Sequence, residues 1–547
     1  MSKLLSRFPT GYQPNPSQVK LLSSIDSAFN QGYKFVVCSA PTGSGKSFIS
    51  KTLGNASSEP SEEFKDLVNS YQIYKKNNLG GYSYEHEADN EPVFGAMALT
   101  ITKALQDQYE DLFPDTSILK GKNNYQCSYD TDFTVDRAPC LYVPSIRDTC
   151  CSQNTCPYYN ARNEALTSRF TALNYSMFFS LPGHVKRREY LICDEAAELE
   201  DQLVKMFSCQ IAFDTLKQSD IFVPAVPSDK QYDKVRHWLH TLSESIGDRV
   251  DDLKNIINSL SKKVKSNTNE HKNELMKLRE LHNKIRLLID TWHDSEYIVE
   301  KESTGISFTP LKVNKLSGRV FEHADKVVLM SATIIDVDNF CKTLGIEKSD
   351  FKYIEAPSSF SPDKAPILVS TKTKLNHYNL KNSLPGIVKQ IKQICNEHGD
   401  VKGIIHSQSN FITNYIKNNI NNDRFLYREP GRRNESILEQ HYTTDEATVL
   451  VSPSMSHGVD LKDNLARFQI IIKAPYLPLN DARTKKLMQA DFNWYQNKMI
   501  SSFIQAAGRG IRSADDYCIT YVLDAAIIEA VIKNKSKIPK YFIERFI

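Results

Sequence analysis

The sequence predicts an α/β fold built from two successive runs of alternating strand and helix. Three observations carry this. First, the apolar run Phe35-Val-Val-Cys38 leads into a glycine-rich loop and then into Phe48–Leu53, which can continue as a helix. Second, strand-like runs return in the second half at Lys326–Ile334, Ile367–Ser370, Gly403–Gln408, Thr448–Ser452, Phe468–Lys473 and Cys518–Leu523. Third, a cysteine-rich stretch and a stretch of helical period interrupt the first run, so two further domains are expected inside it. At 547 residues the chain can hold three or four domains.

Composition bounds the partners. Apolar content of 40% and charged content of 24% are ordinary for a globular protein. Basic residues number 68 against 65 acidic ones, for a net charge of +3, so any nucleic-acid surface is a local stripe. The N-terminal residues lack a signal-peptide core, and no run approaches 18 apolar residues. A soluble, intracellular protein with no membrane partner is expected, cytoplasmic and possibly monomeric.

Ser39-Ala-Pro-Thr-Gly-Ser-Gly-Lys-Ser47 fills a P-loop pattern, with Ala40 where glycine is commonest. Gly43 and Gly45 let backbone N–H groups converge on phosphate oxygens, and Ala40, Pro41, Thr42 and Ser44 complete the expected nucleotide-binding loop. Lys46 supplies charge to the β- and γ-phosphates, and the Ser47 hydroxyl ligates Mg²⁺. A nucleoside triphosphate is the expected ligand. Upstream, Gln18 offers an amide that could read adenine, or it is a helix-surface residue.

Gly54–Glu91 is polar and reads as a surface insertion with one helix at Glu63–Lys75. Val93–Thr102 is a strand and Lys103–Phe113 a helix, whose N-terminus either holds a nucleic-acid phosphate or belongs to an ordinary βα unit. Cys127, Cys140, Cys150, Cys151 and Cys156 then fall within 30 residues, separated by 12, then 9 or 10, then 5 or 4 residues. Four thiolates can hold a [4Fe–4S] cluster or a tetrahedral zinc, and five candidates leave Cys150 against Cys151 open. Interleaved Lys120, Lys122, Tyr125, Tyr158, Tyr159 and Arg162 suit a surface that grips a strand.

Glu189-Tyr-Leu-Ile-Cys-Asp-Glu195 is an apolar strand ending in two acids. In this position Asp194 is expected to hold Mg²⁺ and Glu195 to position or deprotonate the attacking water, which makes the chain a hydrolase. Residues 205–304 change character. Leu253, Ile256, Ile257, Leu260 and Val264, then Leu275, Leu278, Leu281, Ile285 and Leu288, predict a basic pair of antiparallel helices.

The second half has no P-loop of its own and can complete the first across a cleft. Gln505-Ala-Ala-Gly-Arg-Gly-Ile-Arg512 follows a helix, with Arg509 and Arg512 expected on one face as arginine fingers. Ser456-His-Gly458-Val-Asp460 is expected to make the adjoining loop, with Asp460 near the ribose or the cleft.

Pro41–Ser47, Asp194-Glu-Ala196, Ser331-Ala-Thr333, Gly458-Val-Asp460 and Gln505-x-x-Gly-Arg-x-x-Arg512 are similar, in order, to the motifs of superfamily 2 helicases. The segment opening Gly121-Lys-Asn-Asn-Tyr-Gln-Cys127 and closing Cys156-Pro-Tyr-Tyr-Asn-Ala-Arg162 resembles the iron–sulfur insertion of the XPD/DinG branch, and Asn174-Tyr175 also fits that branch. The resemblance implies two RecA-like motor domains, with a cysteine-rich domain and a helical arch inserted in the first. The implied boundaries put motor domain 1 at 1–118, 161–204 and 305–357, the cysteine-rich domain at 119–160, the arch at 205–304 and motor domain 2 at 358–547.

It further implies an ATP- and Mg²⁺-dependent DNA helicase, probing single-stranded and forked DNA and moving 5′→3′, with a [4Fe–4S] cluster favoured over zinc. The alternative is a nucleic-acid-stimulated translocase that remodels complexes without processive unwinding. A regulatory module with a vestigial ATPase is a third reading, opposed by Glu195, Arg509 and Arg512. Two departures stand out. Ala197 replaces the usual His, giving DEAA for DEAH, and Asp524-Ala-Ala lacks the branch's late arginine. The Asn- and Lys-rich style would suit an AT-rich bacterium or a phage.

Overall fold

The structure is a computed structural model that describes residues 2–41, 43–69, 93–141, 143–181, 183–228, 231–261, 269–357, 361–428, 435–453, 461, 463–511 and 516–547. Thr42, the loop containing Gly458 and Asp460, and Arg512 therefore lie outside the described residues, as do 70–92 of the expected insertion and 262–268 of the helical hairpin.

The first domain is built on β1 (Phe35–Ser39), β2 (Ala96–Thr100), β3 (Ser117–Leu119), β4 (Phe170–Asn174) and β5 (Arg188–Asp194). An inserted unit contributes β6 (Cys209–Ala212), β7 (Tyr297–Glu302) and β8 (Gly305–Pro310). The first domain then resumes with β9 (Ala324–Ser331) and β10 (Phe351–Glu355). Seven strands pair in the order β10-β1-β9-β5-β2-β4-β3, and every pairing is parallel.

Alternation along these strands feeds two cores, one per face. Val37, Leu99, Leu173, Leu191, Val327 and Leu329 enter one apolar cluster, while Val36, Ala98, Ala172, Ile192, Val328 and Met330 enter the other. A sheet buried on both faces reads as continuous apolar runs, which is why its strands were legible. Helices Pro16–Asn30, Lys46–Ala56 and Lys103–Leu112 cover one face. The cysteine segment and helices Pro157–Thr167 and Leu199–Phe207 cover the other.

The second domain repeats the plan with β11 (Ile367–Val369), β12 (Gly403–His406), β13 (Phe425–Tyr427), β14 (Val449–Ser452), β15 (Phe468–Ile471) and β16 (Ile519–Val522). Its parallel order is β11-β16-β15-β12-β14-β13. Helices Leu380–Glu397 and Asn410–Asn419 pack on one side, and Phe492–Ala507 and Ala525–Lys533 on the other.

The helical stretch folds as Tyr232–Ser261 against Asn269–Asp290, and β6, β8 and β7 form an antiparallel sheet at its base. Its own core centres on Trp292, fully buried and stacked between Tyr232 at 4.3 Å and Tyr297 at 5.6 Å. The expected boundary between 304 and 305 falls inside the β7–β8 hairpin, because β8 pairs with β6 and β7 as far as Pro310. Leu141 and Val143 of the cysteine segment pack against this core, and Arg279 donates to the Leu141 carbonyl at 3.4 Å.

Candidate active site

Strand order brings the motifs together. β9 lies between β1 and β5, so the P-loop, Ser331-Ala-Thr333 and Asp194-Glu195 leave the carboxyl ends of three adjacent parallel strands. In open α/β sheets ligands bind at that edge. The Ala40 N–H donates to the Ser331 carbonyl at 2.9 Å, fastening the loop to β9.

Gly43 and Gly45 have φ of +77° and +78°, the left-handed region that glycine enters without cost. A Cβ on Gly45 would also lie 2.1 Å from Gln18 Nε2. Gly45 caps helix Lys46–Ala56 without a side-chain acceptor, so the helix opens with backbone N–H groups directed toward the loop. Behind that helix, the buried Tyr109 hydroxyl donates to Ser50 Oγ at 2.9 Å and also engages Ser47.

The Lys46 ammonium is 2.9 Å from Glu195 Oε1, and the Ser331 hydroxyl donates to Glu195 Oε2 at 3.2 Å. Glu195 itself sits at φ +50°, a left-handed conformation rare for a residue with a side chain. Asp194 is buried, and its Oδ1 accepts from the Glu195 N–H at 3.0 Å. Burial raises its carboxyl above the ordinary range, Lys46 opposes that rise and Glu195 adds to it. Such a carboxyl gains from a cation beside it.

Gln18 differs from the adenine reading. Its Oε1 accepts from the Asn15 N–H at 2.9 Å, and its own N–H donates to Asn15 Oδ1 at 2.9 Å, which is a capping box on helix Pro16–Asn30. Its Nε2 reaches the Gly45 carbonyl at 3.4 Å. Both ends of the amide are engaged in holding the P-loop to the preceding helix. The Asn15-Pro-x-Gln18 spacing is a capping-box signature and could have shown this.

Arg509 also differs from expectation. Helix Phe492–Ala507 ends before it, and the expected shared face with Arg512 lies outside the described residues. Arg509 lies buried just past the helix end, close enough to His406 at the end of β12 to depress that imidazole, whose pKa burial takes down to about 4.

The two domains meet along an interface that, apart from Gln505, no sequence motif marks. Gln505 Nε2 donates to Glu198 Oε1 at 2.8 Å. Two turns earlier on the same helix, Lys498 pairs with Glu200 and Asp201 at 3.0 Å each, and the Trp494 indole donates to Glu200 at 3.0 Å. Arg483 adds 2.6 Å to Glu200 and a bond to the Pro310 carbonyl at 3.0 Å. Burial alone would raise the Glu200 carboxyl, but Lys498, Arg483 and the Trp494 donor hold it down at about 2. The signal was there as Trp494, Lys498 and Gln505 at helical spacing, opposite an acidic run after Asp194. Ala197 sits in this seam beside a cavity of about 50 Å³, also lined by Thr333, Phe340, Trp494 and Asn497. The buried Asn497 amide has no hydrogen-bond partner among the described residues.

All five clustered cysteines are free thiols. Cys127 and Cys156 lie in the core that covers the first sheet, and Cys140 and Cys150 pack against that same core. Cys151 is also buried but outside that apolar cluster, with Arg162, Cys156, Arg147 and Cys140 as its neighbours. Burial pushes the Cys140 and Cys151 thiols up to about 11. Among the described residues, no three His, Cys, Asp or Glu side chains come close enough to hold a metal ion. An all-thiol donor set on one core patch nevertheless fits the chemistry of an iron–sulfur cluster or zinc. Lys122 lies 5.3 Å over the Tyr158 ring and Arg162 4.4 Å over Tyr159, but Tyr158 and Arg162 are buried, so these contacts pack the segment rather than form the expected surface.

Comparison with known proteins agrees with the motifs. The helicase C-terminal domain family matches residues 405–544. The chain is 22% identical over 477 residues to the ATP-dependent DNA helicase CHL1 of Kluyveromyces lactis, covering 70% of this chain and 58% of that protein. It is 26% identical over 147 residues to CHL1 of Candida albicans, covering 22% of this chain and 18% of that protein. The chain thus spans little more than half the length of the first of these relatives. Among solved structures, an XPD helicase superposes with a TM-score of 0.61 at 16% identity, covering 96% of this chain and 98% of its own. S. tokodaii Xpd4 superposes with a TM-score of 0.53 at 14% identity, covering 95% and 97%. The α/β fold with two parallel sheets matches these XPD structures, and the matches together support an XPD/DinG-like superfamily 2 helicase. No helix among the described residues is long and apolar enough to cross a membrane.

Proposed function

We propose that the chain is an ATP-dependent DNA helicase that tracks 5′→3′ on single-stranded DNA and opens forked duplexes. The observation that carries this reading is the Lys46–Glu195–Ser331 cluster at the edge of one parallel sheet, faced by the Gln505 helix of the other. Helix Lys46–Ala56 and the P-loop amides would receive the triphosphate, with Lys46 moving from Glu195 to the β- and γ-phosphates. Glu195, freed of that partner, would orient and deprotonate the attacking water, and Arg509 with Arg512 would meet charge developing on the γ-phosphoryl group. Ser47 and Asp194 would hold Mg²⁺, which supplies charge neutralisation at the phosphates.

In the proposed division, two RecA-like motor domains close on ATP, while the cysteine-rich segment and helical arch, joined through Leu141 and Arg279, guide one strand. Cys127, Cys140 and Cys156 would hold a [4Fe–4S] cluster. The shared core favours Cys150 over Cys151 as the fourth ligand. Absorbance near 400 nm in anaerobically purified protein, lost in Cys150→Ser and kept in Cys151→Ser, is expected; zinc would leave that region transparent.

A second reading, an ATPase that remodels protein–DNA or RNA complexes without processive unwinding, draws support from the seam. Ala197 leaves the Asn497 amide unpartnered where a longer side chain would join the Glu195 turn to the Gln505 helix. Forked duplexes carrying a 5′ or a 3′ single-stranded arm separate the readings. Unwinding from the 5′ arm is expected. DNA-stimulated ATP hydrolysis with no strand separation on either substrate would favour the second.

A further inference from the structure

Residues 535–547 belong to the second domain by packing and reach the first by hydrogen bonds. Phe542 is fully buried and meets Phe503 of the Gln505 helix edge-on at 5.5 Å. Arg545, also buried, donates to the Ala365 carbonyl at 2.7 Å and to the carbonyl of Ala507, the last residue of that helix, at 3.0 Å. From this anchorage the Tyr541 hydroxyl donates to the Ala332 carbonyl at 2.5 Å. The Lys540 N–H donates to Glu355 at 2.8 Å, and Lys537 pairs with Asp336, itself at φ +50°. Ala332 follows Ser331, whose hydroxyl holds Glu195.

We propose that Tyr541 is a positioning residue for the nucleotide site, tying the Ser331-Ala332-Thr333 turn to the helix end that leads into Arg509. The inference rests on the proposed ATPase and extends it to a residue outside every motif. The link is short and continuous. Glu195 is held by Ser331, the next residue's carbonyl by Tyr541, and the chain carrying Tyr541 by Arg545 on Ala507. Each step is a hydrogen bond or packed backbone, and the hydroxyl bond is the one that reaches the Ala332 carbonyl itself, where Lys540 and Lys537 hold Glu355 and Asp336 instead. Burial raises the Tyr541 phenol above its ordinary range, so it remains a donor at working pH.

Tyr541→Phe removes the donor and keeps the ring. With ATP, Mg²⁺ and oligo-dT, kcat is expected to fall about 3- to 10-fold, the scale of one neutral hydrogen bond. KM for ATP should stay within about 2-fold, since ground-state binding is untouched. Ser331→Ala combined with Tyr541→Phe should lose no more than Ser331→Ala alone, because the two act in series. Additive losses, or a raised KM with kcat intact, would overturn the proposal. Hydrogen exchange gives a readout independent of turnover. Peptides spanning 327–334 should exchange faster in Tyr541→Phe, with the rest of the chain unchanged. Unchanged exchange there overturns the link even if the wild-type chain hydrolyses ATP. Absence of hydrolysis in the wild type, with exchange altered as expected, overturns the ATPase reading alone.

Discussion

Glu195 shows how much a single residue of this site has to satisfy. Its left-handed backbone costs on the order of 1–3 kcal/mol, which the surrounding turn must sustain. Its carboxylate is shared between Lys46 and Ser331, partners more than a hundred residues away on either side. Glu195→Gln keeps the shape and removes the proposed base. Turnover is expected to fall by at least about 100-fold, with nucleotide affinity retained or improved. A fluorescent-nucleotide titration beside single-turnover hydrolysis checks both halves. The acid pair and the P-loop were legible because their chemistry demands particular residue types at fixed spacing. Gln18 stayed open between adenine and a helix surface, because a donor–acceptor amide suits adenine and a capping box equally. Burial and the Asn15 partner decide between them. Arg509 lies past the helix end, because the helical spacing read from the sequence stops at Gly508.

At the scale of elements, helix Phe492–Ala507 does the joining. Its stripe of Trp494, Lys498 and Gln505 meets Glu200, Asp201 and Glu198 on the segment that follows Asp194. A helix before Gln505 was expected from the sequence, but its partner was not, because cross-domain pairing leaves no local pattern. The same holds for β9, whose place between β1 and β5 follows from strand order rather than from any run of residues. Buried charge at this seam sets a pH dependence. Glu200 is held at about 2, below its ordinary 4.5, so its contribution is full above about pH 4.5 and is lost as pH falls toward 2. Acid titration followed by limited proteolysis between the domains should show opening across that window. Glu200→Gln should weaken the seam at neutral pH and flatten the acid transition, whereas an unchanged transition would assign the opening to other carboxylates. Buried pairs broken on one side typically cost about 3–5 kcal/mol, so the effect should be easily measured.

For the whole molecule, two parallel sheets, each buried on both faces, place one nucleotide-type edge opposite a helix end from the other. Alternation within the strands and the absence of a second P-loop made that plan readable from the sequence. The inserted units were readable in kind, from clustered thiols and helical period. Their extent was not, because the hairpin β7–β8 continues to Pro310 with no break in composition. The proposed preference for Cys150 over Cys151 rests on packing, since both spacings are open to four-thiol ligation. The motor reading stands or falls on triphosphate chemistry at the P-loop. The most direct measurement is steady-state ATP hydrolysis with Mg²⁺ and single-stranded DNA, wild type against Lys46→Ala. Wild type should hydrolyse ATP faster with DNA than without, and Lys46→Ala should lose that activity while unfolding at an unchanged temperature. A well-folded Lys46→Ala chain that still turned over ATP at the wild-type rate would contradict the site described above.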